Sequence, residues 1–267
     1  MCVSFPAMDS QSVSTRLYLI ATAERLFAEH GINAVSMRKI AADAGQRNDN
    51  AVQYHFGSKQ GLVDAIFEHR QVPIDARRMA LIDTFDREGC DGDPYAIAEA
   101  FVRPLVELLD GAPSGSWYLR FCVQAAYTVH RDVATLTLSE LEARPGAIGL
   151  AVLRERAYRM LRSTLPEPLV AQRWWHFTGF LAHALADLEA RRHAGGLHQL
   201  GSDELFVAGL LDSAAAVLTA PCRPSTSRLA KTEAGAAVRG GQTRPGPYAA
   251  EPESRTPCSN PSQGGPP

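Results

Sequence analysis

The sequence predicts an all-α protein, and three observations carry that prediction. Apolar residues recur at spacings of three and four along almost the whole chain, no run alternates apolar and polar residues as a half-buried strand would, and clusters of Gly, Pro and Ser cut the chain into helix-length pieces. The expected organisation is a small three-helix unit over residues 13–60 and a larger helical unit over 61–220. Residues 1–12 and 221–267 are expected to be disordered.

The first helix is expected from Thr15 to His30, with Ile20, Ala23 and Phe27 at i, i+3 and i+7, Leu17 and Leu26 beside them, and Gly31 as its stop. Ser36 opens a short second helix, Met37 to Ala44. Its hydroxyl can accept from the amides of the first turn, while Val35 and Ile40 have the spacing of a hydrophobic staple. After Gly45 comes a polar break, Gln46, Arg47 and Asn48, and then a very short third helix with Asn48 or Asp49 as its cap, running to about Tyr54. Gly57 and Ser58 separate it from a longer helix carrying Leu62, Val63, Ile66 and Phe67.

Pro73 is expected to start or kink a further stretch with Met79, Ile82 and Phe85, because a proline inside a helix removes a hydrogen bond and crowds the preceding turn. Beyond the break at 89–94, helices are expected at 95–110, 116–130, 146–164, 168–194 and 203–219. From 221 to 267 there are nine prolines and six glycines, and only Leu229, Val238 and Tyr248 are sizeable apolar residues, too few to offset the cost of ordering the backbone.

Charge and composition narrow the function classes. The 27 basic and 29 acidic residues leave a net charge of −2, so no global field attracts nucleic acid. The charges are unevenly placed: residues 14–80 hold nine basic against seven acidic groups, and residues 81–220 hold twelve against eighteen. The locally positive part of the body is therefore near the N-terminus. The opening MCVSFPAM has neither a positive nor an apolar leader region, and no apolar run approaches the ~20 residues of a membrane span, so a cytoplasmic protein without membrane contact is expected.

Five scattered cysteines suggest thiols in a reducing compartment, not a disulfide framework or a zinc site. There is no Gly-x-Ser-x-Gly elbow, phosphate loop, dinucleotide glycine fingerprint or His-Glu-x-x-His helix, and the eight histidines are spread singly. No catalytic residues, metal or cofactor are expected.

The informative segment is 36–60, SMRKIAADAGQRNDNAVQYHFGSKQ. Two short helices around Gly45 suit a helix-turn-helix, whose second helix enters the major groove of double-stranded DNA while the first crosses the backbone. The side chains suit that placement. Arg38, Lys39, Arg47 and Lys59 can reach phosphates, Ser36 and Ser58 bring helix N-termini near them, and Asn50 and Gln53 can pair with base edges. Ile40, Ala41, Ala44, Val52 and Phe56 would face a small core. Spacing alone leaves other roles open, since any three-helix cluster with polar turns shows a similar pattern.

The stretch ATAERLFAEHGINAVSMRKIAADAG, followed by AVQYHFGSKQGLVDAIF, resembles the N-terminal domain of the tetracycline-repressor (TetR) family of bacterial transcription regulators, over about residues 14–68. The resemblance implies some nine helices, a homodimer, and a C-terminal domain in which a small-molecule effector changes the separation of two reading heads on a pseudo-palindromic operator. It places the turn and recognition helix at Gln46 to Tyr54, including Asn48, and matches Tyr54 and His55 to an aromatic-His pair near phosphates and Lys59 to a backbone-contacting lysine. This sequence departs from the family pattern twice: QRNDN is one residue longer than the commonest turn, and Gln53 stands where relatives often have an aromatic residue. A repressor is the expected regulator.

The C-terminal region is read from its own residues. Trp174, Phe177, Leu181, Ala184 and Leu188 form a seam on one long helix, and Val207, Leu211, Ala214 and Leu218 form another. Paired across two subunits, these seams would make a four-helix dimer interface. The alternative is that they face the monomer's own core. An effector pocket would be lined by apolar and aromatic groups, with Phe101, Trp117, Phe121, Tyr127 and His130 as first candidates. Two other function classes stay open: an all-helical enzyme or ligand carrier with a vestigial head, and a helical protein-interaction adaptor.

Overall fold

A computed structural model describes residues 10–48, 50–111, 116–128, 137–195 and 201–240, and among these all regular structure is helical. The N-terminal unit comprises α1 (Ser10–His30), α2 (Met37–Asp43) and α3 (Ala51–Phe56). The long α4 (Lys59–Arg87) leads into α5 (Pro94–Asp110), α6 (Tyr118–Thr128), α7 (Leu138–Glu142), α8 (Ile148–Arg162), α9 (Glu167–His193), α10 (Asp203–Thr219) and α11 (Pro224–Gly240).

Local chemistry accounts for most boundaries. Gly31 ends α1 at φ +84° with its amide on the Phe27 carbonyl, 2.9 Å. Ser36 caps α2 through Oγ, which accepts from the Lys39 amide at 3.1 Å, and Val35 and Ile40 are both buried beneath that cap. Asp93 caps α5 ahead of Pro94, Ser202 caps α10, and Thr137 and Glu140 form a reciprocal capping box on α7.

Several expectations are corrected. The first helix begins at Ser10, upstream of Thr15 and inside the stretch expected to be disordered. The third helix starts later than expected: its N-cap is Asn50, and Asn48 sits in the turn, where Oδ1 accepts from the Asn50 amide at 2.9 Å. Of the two roles expected for Pro73, to start or to kink a helix, it does not take the first. It lies inside α4, because Leu62, Val63, Ile66 and Phe67 before it and Ile74 and Ile82 after it are all buried, and that packing outweighs one lost backbone bond.

The largest departure is α11, in a region expected to be disordered. The Pro and Gly count over 221–267 hides the fact that residues 225–239 contain no proline and one glycine among good helix formers. That helix leans on α9 through the buried Ala230, and Cys222 just before it packs against Leu161, Leu165 and Val170. Residues 241–267 lie outside the described residues.

One apolar core runs from the N-terminal unit into the body. At its head end Phe121 of α6 meets Phe27 of α1 and Phe67 of α4, with ring centroids 6.2 and 5.0 Å away. Deeper in, Phe101 packs on Trp174 and Phe177 at 6.4 and 5.5 Å. The buried carboxylates in this region have partners. Glu189 of α9 accepts from the Leu119 and Arg120 amides at the start of α6, 3.2 and 3.0 Å, and from Arg120 Nε at 3.2 Å. Burial still pushes its carboxyl above the ordinary range, against the pull of those N–H groups.

Among the described residues no single helix is long and apolar enough to cross a membrane.

Candidate nucleic-acid interface

Residues 37–56 form a helix-turn-helix whose inner side is core and whose outer side is polar. Ile40 and Ala41 of α2, Ala44, and Ala51 and Val52 of α3 are buried, so the packing fixes which way each short helix faces. The joint needs Gly45 at φ +65°, and the chain reverses there through bonds from the Gly45 amide to Ala42 O and from the Gln46 amide to Ala41 O, both 2.9 Å. At about 1.5 Å per residue, the six residues of α3 make a rod some 9 Å long, short enough to lie within a major groove about 12 Å wide.

Ser36, Arg38, Lys39, Arg47, Asn48, Asn50, Gln53 and Tyr54 are all exposed, Tyr54 at 84%, and His55 is half-buried with its ring edge-on to Tyr54 at 5.2 Å. Gln53 donates through Nε2 to the Gly57 carbonyl, which engages one amide N–H of a side chain that also carries an acceptor oxygen. Lys39 and Arg25 share the Asp43 carboxylate at 3.4 and 3.7 Å; exposed pairs of this kind are worth only about 0.2–1 kcal/mol, so a phosphate can displace them.

Lys59 is placed differently from its neighbours. Its Nζ donates to the Ile32 carbonyl at 3.0 Å and ties the start of α4 to the turn after α1, leaving two further ammonium protons for other acceptors. The same corner explains Gly61, whose role the sequence alone leaves unread: a Cβ there would lie 2.2 Å from the Phe56 carbonyl oxygen. Arg16, also unforeseen, lies over the Phe56 ring at 5.1 Å.

The seam residues lie elsewhere than the dimer expectation requires. Trp174, Phe177, Leu181 and Leu188 of α9 and Ala214 and Leu218 of α10 are buried in the monomer's own core, while Ala184, Val207 and Leu211 pack partly buried against it. The opposite sides of these helices are open: Trp175 and Phe180 on α9 are 49% and 38% exposed, and Leu205, Ala208, Gly209 and Ala216 on α10 are exposed. Of the side chains named for an effector pocket, the three that are described, Phe101, Trp117 and Phe121, do not converge. Phe101 and Phe121 fill separate parts of the core, and Trp117 stacks on His193 at 4.3 Å under the Arg120 guanidinium. Tyr127 lies in α6 with its side chain outside the described set, and His130 is outside the described residues.

The fold and this exposed face define a helix-turn-helix protein. Residues 19–66 match the family model described as bacterial regulatory proteins, tetR family. The HTH-type transcriptional dual regulator CecR of Shigella flexneri is 47% identical over 57 residues, a match covering 21% of this chain and about a quarter of that relative's length. Among solved structures, a TetR-family transcriptional regulator from Pectobacterium atrosepticum is 21% identical with a TM-score of 0.39, over 79% of this chain and 94% of that one. RolR in complex with resorcinol is 19% identical with a TM-score of 0.38, over 80% and 97% of the two chains.

Proposed function

We propose that the protein is a cytoplasmic transcription regulator, a repressor that binds double-stranded DNA as a homodimer and is released by a small-molecule effector. The observation that carries this is the exposed face of α3 and its preceding turn. Arg47 and Asn48 in the turn, Asn50 at the cap, and Gln53 and Tyr54 on the helix are exposed, while Ala51 and Val52 of the same helix are buried, within the stretch that matches the family model. Gln53 and Asn50 supply amide groups for base edges, and Ser36, Arg38, Lys39, Arg47, Tyr54, His55 and Lys59, exposed or half-buried around them, supply phosphate contacts. The function lies in binding, not in catalysis.

The homodimer is proposed on the outer side of α9 and α10, through Trp175, Phe180 and Leu205. Gly179, Gly209 and Ala216 allow close helix approach there, and a Cβ at either glycine meets no atom within 4 Å. Two copies would carry two α3 helices and read a pseudo-palindrome.

Selection of genomic fragments on the purified full-length chain tests the proposal. A reproducible pseudo-palindromic motif upstream of a few transcription units is expected. Recovery of fragments without a common motif would contradict it.

A further inference from the structure

The helix α4 is shared between the two parts of the molecule. Its first half (Leu62, Val63, Ile66, Phe67) is buried beside α1 and α3, and its second half (Ile74, Asp75, Arg78, Ile82) is buried against α5 and α8. Any bend in α4 therefore turns the helix-turn-helix relative to the body. The helix is weakest at Pro73, which has no N–H to offer the His69 carbonyl one turn back.

The structure places a contact at that turn which the DNA-reading face does not need. The segment Gly146-Ala147-Ile148-Gly149 at the start of α8 lies directly on α4. Gly146, at φ +73°, sits so close that a Cβ would stand 2.6 Å from the Val72 amide nitrogen and 2.7 Å from the Gln71 carbonyl carbon. One turn further on, a Cβ at Gly149 would lie 2.9 Å from Asp75 Oδ1 and 3.2 Å from the Arg78 side-chain carbons. Asp75 completes the junction: Oδ2 accepts from the Gly149 amide at 3.0 Å, and Oδ1 accepts from Arg78 at 3.2 Å, with both side chains buried. A buried carboxylate on a first-turn amide of α8, that of Gly149, is favoured by the helix dipole and locks the two helices in register.

We propose that Gly146, Gly149 and Asp75 are positioning residues for DNA reading, clamping α4 on both sides of Pro73 and so fixing the angle of the helix-turn-helix against the body. Alanine is normally the better residue inside a helix, so glycine at 149 points to contact distance, not to helix formation. The proposal rests on the DNA-reading function for one of its two readouts only.

The experiment uses the full-length chain with fluorophores at Ala42 on the head and Arg159 on the body, in a protomer diluted into unlabelled protein. Energy transfer then reports the head-to-body distance without DNA. In Gly149→Ala we expect a broader distance distribution and about a tenfold loss of affinity for the selected operator, with an unchanged salt slope because no phosphate contact is removed. Adding Pro73→Ala restores the missing backbone bond, and in the double variant the distribution should narrow again.

A folded Gly149→Ala protein with the wild-type distribution and operator affinity would overturn the clamp. Should Gly149→Ala fail to fold, Pro73→Ala alone decides: an unchanged mean distance, held by the intact clamp, supports it, and a shifted mean, set by the proline, overturns it. If wild-type protein binds no operator while the distributions change as expected, the clamp stands and the DNA-reading function falls.

Discussion

Glu24 of α1 and Arg70 of α4 form a two-pronged ion pair, Oε2 to Nε at 2.7 Å and Oε1 to Nη2 at 2.8 Å, with Glu24 only 1% exposed. It bolts the head to the connecting helix, and Glu24 also accepts from the Trp117 amide ahead of α6 at 3.4 Å. Burial works against the charge on Arg70, but the hydrogen bond and charge of Glu24 outweigh it and hold the guanidinium pKa above its ordinary value.

Removing one partner of this pair strands the other. Arg70→Met is expected to cost about 3 kcal/mol, because the Glu24 carboxylate stays buried without its counter-charge. Converting both residues to Met should recover most of that loss. Urea unfolding of the two single variants and the double variant checks the pattern, and additive losses would show that the two groups do not interact.

The two sides of α9 should respond differently to charge. Leu181→Asp puts a carboxylate into the monomer core and is expected to destabilise folding by roughly 3 kcal/mol or more, whereas Phe180→Asp, one residue along, should leave the monomer folded and weaken self-association. Thermal melts combined with sedimentation velocity separate these effects. A Phe180→Asp protein that remains fully dimeric would move the interface elsewhere.

Truncation distinguishes the two parts of the C-terminal region. Ending the chain after Gly240 should leave the melting temperature unchanged. Ending it after Ala220 removes Cys222 and Ala230 from their contacts and is expected to cost about 1–2 kcal/mol at ~25 cal/mol per Å² of apolar surface uncovered. Equal stability of the two truncations would mean that α11 contributes nothing to the fold.

Glu189 supplies a dependence on pH. Its carboxyl is raised above the usual value, so the folded protein holds that proton more tightly than the unfolded chain. Its stabilising contribution is complete below the ordinary carboxylate pKa of about 4.3 and is lost as pH rises through the folded value. Relative to Glu189→Gln, the wild type should therefore gain stability as pH falls from neutral and level off below that ordinary value. Paired denaturation curves across this range measure the difference, and a pH-independent gap would show that Glu189 is not perturbed.

How much of this was legible in the sequence depended on the range of the interaction. Local signals placed α2 well: the Ser36 cap, the Val35 and Ile40 pair and Gly45 all act within one turn. The start of α3 was missed because Asn48 uses its side chain in the turn and leaves Asn50 as the cap. Periodicity found the apolar stripes of α9 and α10 but could not tell a partner from the same chain's core, since both ask for the same stripe. Long-range polar pairs left no local trace: Glu24 and Arg70 are 46 positions apart, and Asp75 and Gly149 are 74 apart.

The most direct test of the central claim is a titration of the selected operator and a scrambled duplex at several salt concentrations, with wild-type, Gln53→Ala and Arg38→Ala proteins. Wild type should prefer the operator by about a thousandfold or more. Gln53→Ala should lose about 1–3 kcal/mol on the operator and little on the scramble, while Arg38→Ala should weaken both alike and lower the salt slope by about one. Wild-type protein that binds the two duplexes equally would contradict sequence-specific reading by α3.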